Sequence, residues 1–477
     1  MTNKTHTVEK IGGTSMSRVD QLKDTLFIGS RQGEALYGRV FVVSAFGGIT
    51  DLLLEHKKSG EPGVYGHFAN AESDHGWHEA LTRVGSEMRK RHNAVLDHPG
   101  DIEQADAFVS ERTLGIRNCL IDLQRLCAYG HFRLSEHMLQ IRELLSGLGE
   151  VHSAFVTTLM LQRAGVNARL VDLSGWRDEG NVTLDERIAQ AMERIDPHTE
   201  MPIVTGYAQC AQGLMREFDR GYSEVTFSRL AALTGAREAI IHKEFHLSSC
   251  DPKLVGEAAV HKLGRTNYDV ADQLSNMGME AIHPKAAKTL RQANVPLRIT
   301  NAFEPDDPGT LIDDHAAETP AVEIIAGLDI MTLEVFEQDM VGVKGYDAAI
   351  LEVLKRHGVR IVSKVSNANT ITHYLDTSFK IMRRVEKDIA QVYPSAEITT
   401  RTLSMASVIG RDLNGLSVLQ RGLVAIADAG LSAIGASQGP RNVDVQFIVD
   451  RDDLQAVIKA LHSEFIESVR PRLTRAA

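Results

Sequence analysis

Lys10-Ile11-Gly12-Gly13-Thr14-Ser15 gathers a cation, two glycines and two hydroxyls within six residues. The glycines let backbone N–H groups approach an anion. A helix starting after Thr14 and Ser15 would aim its positive end at the same place, and Lys10 adds a mobile charge for phosphate oxygens. The spacing is not that of a Walker A loop, which needs Gly-Lys-Ser/Thr after a longer glycine-spaced turn. Taken alone, the stretch reads better as a strand–turn–helix corner with a surface lysine. A second stretch reverses that preference. Ser44-Ala45-Phe46-Gly47-Gly48-Ile49-Thr50-Asp51 again pairs glycines with hydroxyls, here Ser44 and Thr50, and follows a continuous apolar run at 40–43. Such a run suits a strand buried on both faces of a parallel sheet. Ligands of open α/β sheets bind at the carboxyl ends of strands, so two early strands with this ending point to one polar site. The competing account is a pair of tight turns; the recurrence of the same chemistry puts function ahead.

Two further patches could join that site. Gly149-Glu150 lies inside an apolar helical stretch at 135–164, where a glycine costs about 1 kcal/mol. Glu150 among small residues either faces a ligand or is a surface glutamate, and the residues alone weigh these equally. Phe218-Asp219-Arg220-Gly221-Tyr222-Ser223-Glu224-Val225-Thr226 sets an arginine and a carboxylate around a Gly and a Ser at the mouth of a helix over 226–234. Arg220 has the planar fork that suits a substrate carboxylate. Ser223 suits a helix cap.

The elements that must position these patches alternate along the chain. Strands are predicted at 7–11, 40–43, 167–172, 202–207, 237–244 and 296–301, the last strand of this half, with a turn at 306–310. Residues 52–134 read as a mostly helical insertion, its charged faces solvated. A polar linker near 313–319 fits a domain boundary. Beyond it a β-α-β-β pattern occurs twice, the texture of two small ferredoxin-like modules. The predicted fold class is α/β, with a mainly parallel central sheet between helical layers and two smaller C-terminal modules.

Composition bounds the rest. A chain of 477 residues needs two or three domains. No apolar run reaches membrane-spanning length on this reading, and the first residues lack a signal-peptide core, so a cytoplasmic enzyme with no membrane partner is expected. Cys119, Cys127, Cys210 and Cys250 are scattered, as free thiols are. The 19 histidines form no metal-ligand spacing, so no protein-ligated metal is expected. With 63 acidic against 52 basic residues the net charge is −11, which opposes a nucleic-acid partner.

With these pieces in place, the chain resembles the aspartokinases of the amino acid kinase superfamily along essentially its whole length. The family's Lys-Phe-Gly-Gly-Thr-Ser stands here as Lys10–Ser15, and its Val-Ser-Ala-x-Gly-Gly-x-Thr-Asp as 43–51. Its Gly-Glu is Gly149-Glu150, its His-Pro is His283-Pro284, and its Gly-Arg-Gly-Gly-Ser-Asp appears altered as Asp219-Arg220-Gly221-Tyr222-Ser223-Glu224. The departures lie in the nucleotide half. Ile241-His242-Lys243 stands for Trp-Thr-Asp, Ser248 for a loop tyrosine, Lys253 for the arginine after Asp-Pro, and Glu280 for a lysine. This pattern looks like the divergent group encoded with ectoine biosynthesis.

The resemblance implies a three-layer kinase domain at 1–312 and two ACT modules at 320–395 and 396–477. It implies phosphorylation of L-aspartate by ATP with Mg²⁺, and a homodimer or higher homo-oligomer. Lys10 would sit on the transferring phosphoryl group, oriented by Glu224. Gly12, Gly13 and Gly48 would offer N–H groups and Ser44 its hydroxyl to the phosphates, and Lys243 and Lys253 would help hold the nucleotide. Arg220 would pair with a substrate carboxylate, Glu150 would receive the α-ammonium, and Thr50 and Ser223 would orient the substrate. The ACT modules would take an amino-acid effector, with a response to lysine and threonine altered because Ser366-Asn367-Ala368-Asn369-Thr370 replaces the usual ligand residues. The rivals are another carboxylate kinase of the superfamily and a nucleotide-inactive amino-acid sensor.

Overall fold

The computed structural model describes residues 5–468 apart from 58, 71–74, 179, 219–220, 280 and 315–319. It divides into two compact units, Met1–Leu247 with Ile282–Asp313, and Ser248–Ala281 with Asp314–Ala477. The sequence places all of 1–312 in one domain; here the segment Ser248–Ala281 groups with the second unit. The reason is packing. Cys250 is buried among the apolar residues of that unit, and the Ser249 carbonyl accepts from Ile325 N–H at 2.8 Å.

The strands of the first unit are β1 (Thr7–Ile11), β2 (Arg39–Val43), β3 (Ala168–Val171), β4 (Met201–Thr205) and β5 (Glu238–Lys243). After the short β6 (Arg265–Asn267) of the second unit come β7 (Leu297–Asn301) and β8 (Thr310–Asp313). Within the first unit their order is β3-β4-β2-β1-β5-β7-β8. All neighbours are parallel except the antiparallel β7–β8 pair. Strand β8 is a correction: the chain continues past 301 into a short strand antiparallel to β7. β1, β2 and β4 are buried along their whole length; the apolar run at 40–43 suits that burial, whereas β1 buries Glu9 and Lys10, each with a charged partner.

Helices cover the sheet. α1 (Gly13–Met16), α2 (Val19–Leu22) and α3 (Ile49–Leu53) leave the first two strands. α4 (Val64–Ala69), α5 (His75–Asn93) and α6 (Pro99–Cys127) make up most of the insertion. α7 (Met138–Arg163), α8 (Leu184–Met192), α9 (Leu214–Phe218) and α10 (Tyr222–Leu233) follow. α7 and α10 pack on one face of the sheet. On the other, Phe27 meets Phe41 edge-on. α7 corrects the membrane reading, since it is long and apolar enough to cross a membrane, but 89% of its apolar window is buried inside the unit. The cost of Gly149 in this helix has a structural cause. A Cβ there would lie 2.9 Å from the Ala45 Cβ, so only glycine lets α7 approach the second glycine turn.

The second unit holds α11 (Pro252–Val255) and α12 (Tyr268–Asn276), while α13 (Pro284–Gln292) returns to the first. Its sheet is formed by β9 (Ala321–Phe336), β10 (Arg360–Ser366), β11 (Thr370–Asp376), β12 (Glu397–Arg411), β13 (Gly435–Gln438) and β14 (Asp444–Val449), in the antiparallel order β10-β11-β9-β12-β14-β13. β9 and β12 pair from Phe336–Glu397 to Ala321–Arg411, and two cores share them. Met331, Leu333 and Val335 pack with α14 (Tyr346–Arg356) and α15 (Phe379–Val392). Ile325, Ala406 and Val408 pack with α16 (Val418–Asp428) and α17 (Leu454–His462). The two modules therefore interleave through long shared strands, whereas the sequence reading divides them at 395/396.

Candidate active site

Both glycine turns lie at the carboxyl ends of β1 and β2 and touch. A Cβ on Gly13 would fall 2.9 Å from the Ala45 carbonyl oxygen, and Gly47 N–H donates to Ser17 Oγ at 2.9 Å. Ser153 Oγ of α7 donates to the Ser44 carbonyl at 2.7 Å. Gly48, with φ +84°, sits in the left-handed region before α3, a conformation glycine adopts without steric cost. Thr50 is half-buried in the first turn of α3.

Lys10 is nearly buried, and its Nζ donates to Glu224 Oε1 at 3.0 Å. The other oxygen of Glu224 accepts from the His283 backbone N–H. Burial alone would push the Glu224 carboxyl up. The charges of Lys10 and then Lys243, with the His283 amide, outweigh burial and hold it below the usual carboxylate range. Lys243 is on β5, on the same face as Lys10, because β1 and β5 pair Lys10 with Ile241 and side chains alternate.

Beside this pair, Ser223 Oγ donates to Glu150 Oε1 at 2.7 Å. The capping role for Ser223 is therefore corrected. α10 begins at Tyr222 with Gly221 as its N-cap, four residues before the expected 226, so Ser223 lies inside the helix and turns inward. Gly206 closes over the pair, since a Cβ there would stand 2.8 Å from Ser223 Cβ and 2.9 Å from Glu150 Oε2. Glu150 is 2% exposed, and its Oε2 is buried without a hydrogen-bond partner among the described residues. Burial pushes its pKa up to about 8, against the opposing pull of the Ser223 hydroxyl, the Lys10 charge and the backbone amides of Tyr207 and Ala45. The backbone amides of Tyr207 and Ala45 face the carboxylate without a well-formed bond to Oε2; a buried carboxylate so weakly held is costly, and a cationic ligand group would be stabilised there.

The remaining expected site residues divide. Arg220, like Asp219 and Glu280, lies outside the described residues. Lys253 is exposed on α11 in the second unit. His242 faces away from Lys10. Its Nε2 meets Glu9 Oε2 at 2.8 Å and its Nδ1 meets Thr300 Oγ1 at 2.8 Å. Arg39 completes a fork on Glu9 at 2.8 and 2.9 Å. Burial would raise Glu9, but Arg39 and His242 hold it well below its ordinary range. The departure at 241–243 thus puts His242 into a structural network and leaves Lys243 on the site's face.

Sequence reasoning missed two site residues. Glu244 accepts from Ser15 Oγ at 2.6 Å, tying the ends of β1 and β5. Tyr207, next to Gly206, donates to Glu143 at 2.6 Å. His246 faces Glu304 with Nε2 at 3.0 Å and Asp307 with Nδ1 at 3.6 Å. One ligand atom from each of the three lies within 4.8 Å of the others, a grouping that the histidine spacing in the sequence did not show.

The model of the amino acid kinase family matches residues 6–301. The chain is 52% identical over 464 residues to aspartate kinase Ask_Ect of Stutzerimonas stutzeri (strain A1501), a span covering 97% of this chain and 98% of that protein. This chain belongs to the amino acid kinase family, as an aspartokinase. Among solved structures, E. coli aspartokinase III in complex with lysine and aspartate (T-state) gives a TM-score of 0.73 at 18% identity, covering 97% of this chain and 99% of that one. The same enzyme with aspartate and ADP (R-state) gives 0.70 at 17% identity, covering 96% and 99%. At such identities the likeness is one of fold. It extends over both units of this aspartokinase, so the C-terminal sheet belongs to the same architecture.

Proposed function

We propose that this aspartokinase transfers the γ-phosphoryl group of ATP to the β-carboxylate of L-aspartate, giving 4-phospho-L-aspartate and ADP. The observation that carries this reading is the buried Glu150 carboxylate, held by Ser223, beside Lys10, which is held by the next residue, Glu224. One group awaits a cation and the other an anion, as the two ends of a small amino acid require. The name of the 52%-identical relative and the aspartate bound to the E. coli enzyme support it.

A β-carboxylate is already an anionic nucleophile, so no general base is needed. The residues hold two anions in line and neutralise the charge that spreads as the phosphoryl group moves. Lys10, oriented by Glu224, meets the phosphoryl oxygens. Gly12, Gly13 and Gly48 offer N–H groups, Ser44 a hydroxyl, and Lys243 a second positive charge on the same face. Glu150 receives the α-ammonium, and Thr50 and Ser223 orient the substrate. Arg220 is assigned the carboxylate clamp and Lys253 a nucleotide contact by their place in the family motifs alone. Mg²⁺ would arrive with ATP, held mainly by phosphates and water, and supply charge neutralisation.

A proton balance follows from this. Glu150, at about 8, carries a proton at pH 7 before an amino acid binds, and binding an ammonium favours its ionised form. L-Aspartate binding at pH 7 is expected to release close to one proton. Calorimetry in buffers of different ionisation enthalpy reads this directly, and buffer-independent heats would refute it. Gly206→Ala would press a methyl onto Ser223 and Glu150. Aspartate KM is expected to rise about tenfold while ATP KM holds, in line with a positioning error of a few tenths of an ångström.

The second unit is read as the amino-acid effector module, coupled to a homodimeric or larger cytoplasmic enzyme that serves aspartate-derived, including ectoine, biosynthesis. Asn367 supports an altered effector response. Its side-chain oxygen accepts from the N–H groups of Asn369 and Thr370 at 3.1 and 2.9 Å, so it shapes its own turn. The deciding experiment is ATP-dependent hydroxamate formation on a panel of L-aspartate, L-glutamate and N-acetylglutamate, with and without lysine and threonine. Hydroxamate from L-aspartate alone is expected. No product from any of them would leave only a sensor.

A further inference from the structure

The helical insertion reaches the second glycine turn directly through Arg91 and, by way of His152 of α7, through His92. Arg91 of α5 donates from Nη2 to the Gly47 carbonyl at 3.3 Å, and is itself braced by Glu87 at 3.1 Å. The next residue, His92, is fully buried, and its Nδ1 meets His152 Nε2 at 3.2 Å. His152 stands edge-on to Phe46 of the same turn, with ring centres 5.5 Å apart. His92 is fixed from behind by Asp106 at 3.2 Å. Solvated charged faces therefore account for only part of this insertion.

In a trans peptide the carbonyl of one residue and the N–H of the next point in opposite directions. A guanidinium holding the Gly47 oxygen therefore fixes where the Gly48 N–H points. That N–H donates to no acceptor among the described residues, and Gly48 sits at φ +84°, where the peptide has little else to hold it. We propose that Arg91 is a positioning residue for phosphoryl transfer, aiming the Gly48 N–H at the phosphates by restraining the Gly47 carbonyl. This rests on the reading of Gly48 as a phosphate donor.

The test compares Arg91→Met, Arg91→Lys and Lys10→Ala in the full-length enzyme by hydroxamate kinetics and thermal melts. Arg91→Met is expected to lower kcat about tenfold and raise ATP KM several-fold, with aspartate KM within about twofold. Its melting temperature should stay within about 2 °C, since the side chain is 36% exposed. Arg91→Lys, whose ammonium still reaches the carbonyl, should recover most of the loss. Wild-type kinetics in Arg91→Met, with Lys10→Ala inactive, would overturn the role of Arg91 and leave the site assignment standing. Equal losses toward ATP and aspartate with a lowered melting temperature would overturn it in favour of plain structural support. A fully active Lys10→Ala would remove the site assignment and this inference with it.

Discussion

Lys10→Ala is expected to lower kcat by about a hundredfold or more, with a modest change in aspartate KM. The ammonium group is fixed by Glu224 at 3.0 Å, so its charge is in place before reaction and costs no reorganisation during it. Its attraction strengthens as charge spreads over the phosphoryl oxygens, which makes the loss fall on the chemical step. The substitution also leaves Glu224 buried with one partner fewer, but Lys243 and the His283 amide still favour its ionised form. A modest loss of stability is therefore expected beside a large loss of turnover. Hydroxylamine trapping of the acyl phosphate measures the second, and near-normal turnover would exclude Lys10 from the reaction.

Glu150→Gln should act on binding instead. The amide can still accept from Ser223, but it offers no charge to an ammonium group. A buried cation deprived of its counter-charge costs roughly 2–4 kcal/mol, so aspartate KM should rise about a hundredfold or more while ATP KM changes little. The same variant has a signature without ligand. The pKa of Glu150 in the fold, about 8, lies above the unfolded value of 4.5. The folded state thus keeps a proton that the unfolded chain releases. The associated stability is whole below pH 4.5 and is lost as pH rises through 8. Urea midpoints of the wild type should fall between pH 5.5 and 8.5 more steeply than those of Glu150→Gln. Parallel profiles and an unchanged aspartate KM would show that Glu150 is a bystander.

Strand β2 was legible because it is buried on both faces and its apolar run at 40–43 is unbroken, whereas β1, with Glu9 and Lys10 in its middle, shows mainly through the glycine turn that follows it. The two glycine turns were legible because their chemistry repeats at the ends of neighbouring strands. Glu150 was ambiguous in sequence because the cost of Gly149 gives no direction. Only the 2.9 Å approach of α7 to Ala45 shows which way the helix leans. Ser223 was misread by four residues of helix boundary, the least certain feature of any pattern. The Glu9–Arg39–His242 network depends on the register of three strands far apart in the chain, which no local pattern encodes. Helix α15 did carry a local signal: Met382, Val385 and Ile389 fall at helical spacing behind a Ser378 cap. The passage of Ser248–Ala281 into the second unit rests on long-range packing, and Lys253 went with it.

A structure with L-aspartate, Mg²⁺ and a non-hydrolysable ATP analogue bound together tests the central claim most directly. The expected result has Lys10 Nζ within hydrogen-bond distance of the γ-phosphoryl oxygens and Glu150 Oε2 on the α-ammonium of aspartate. Lys10 paired with Glu224 alone, with the amino acid bound away from Glu150, would contradict it.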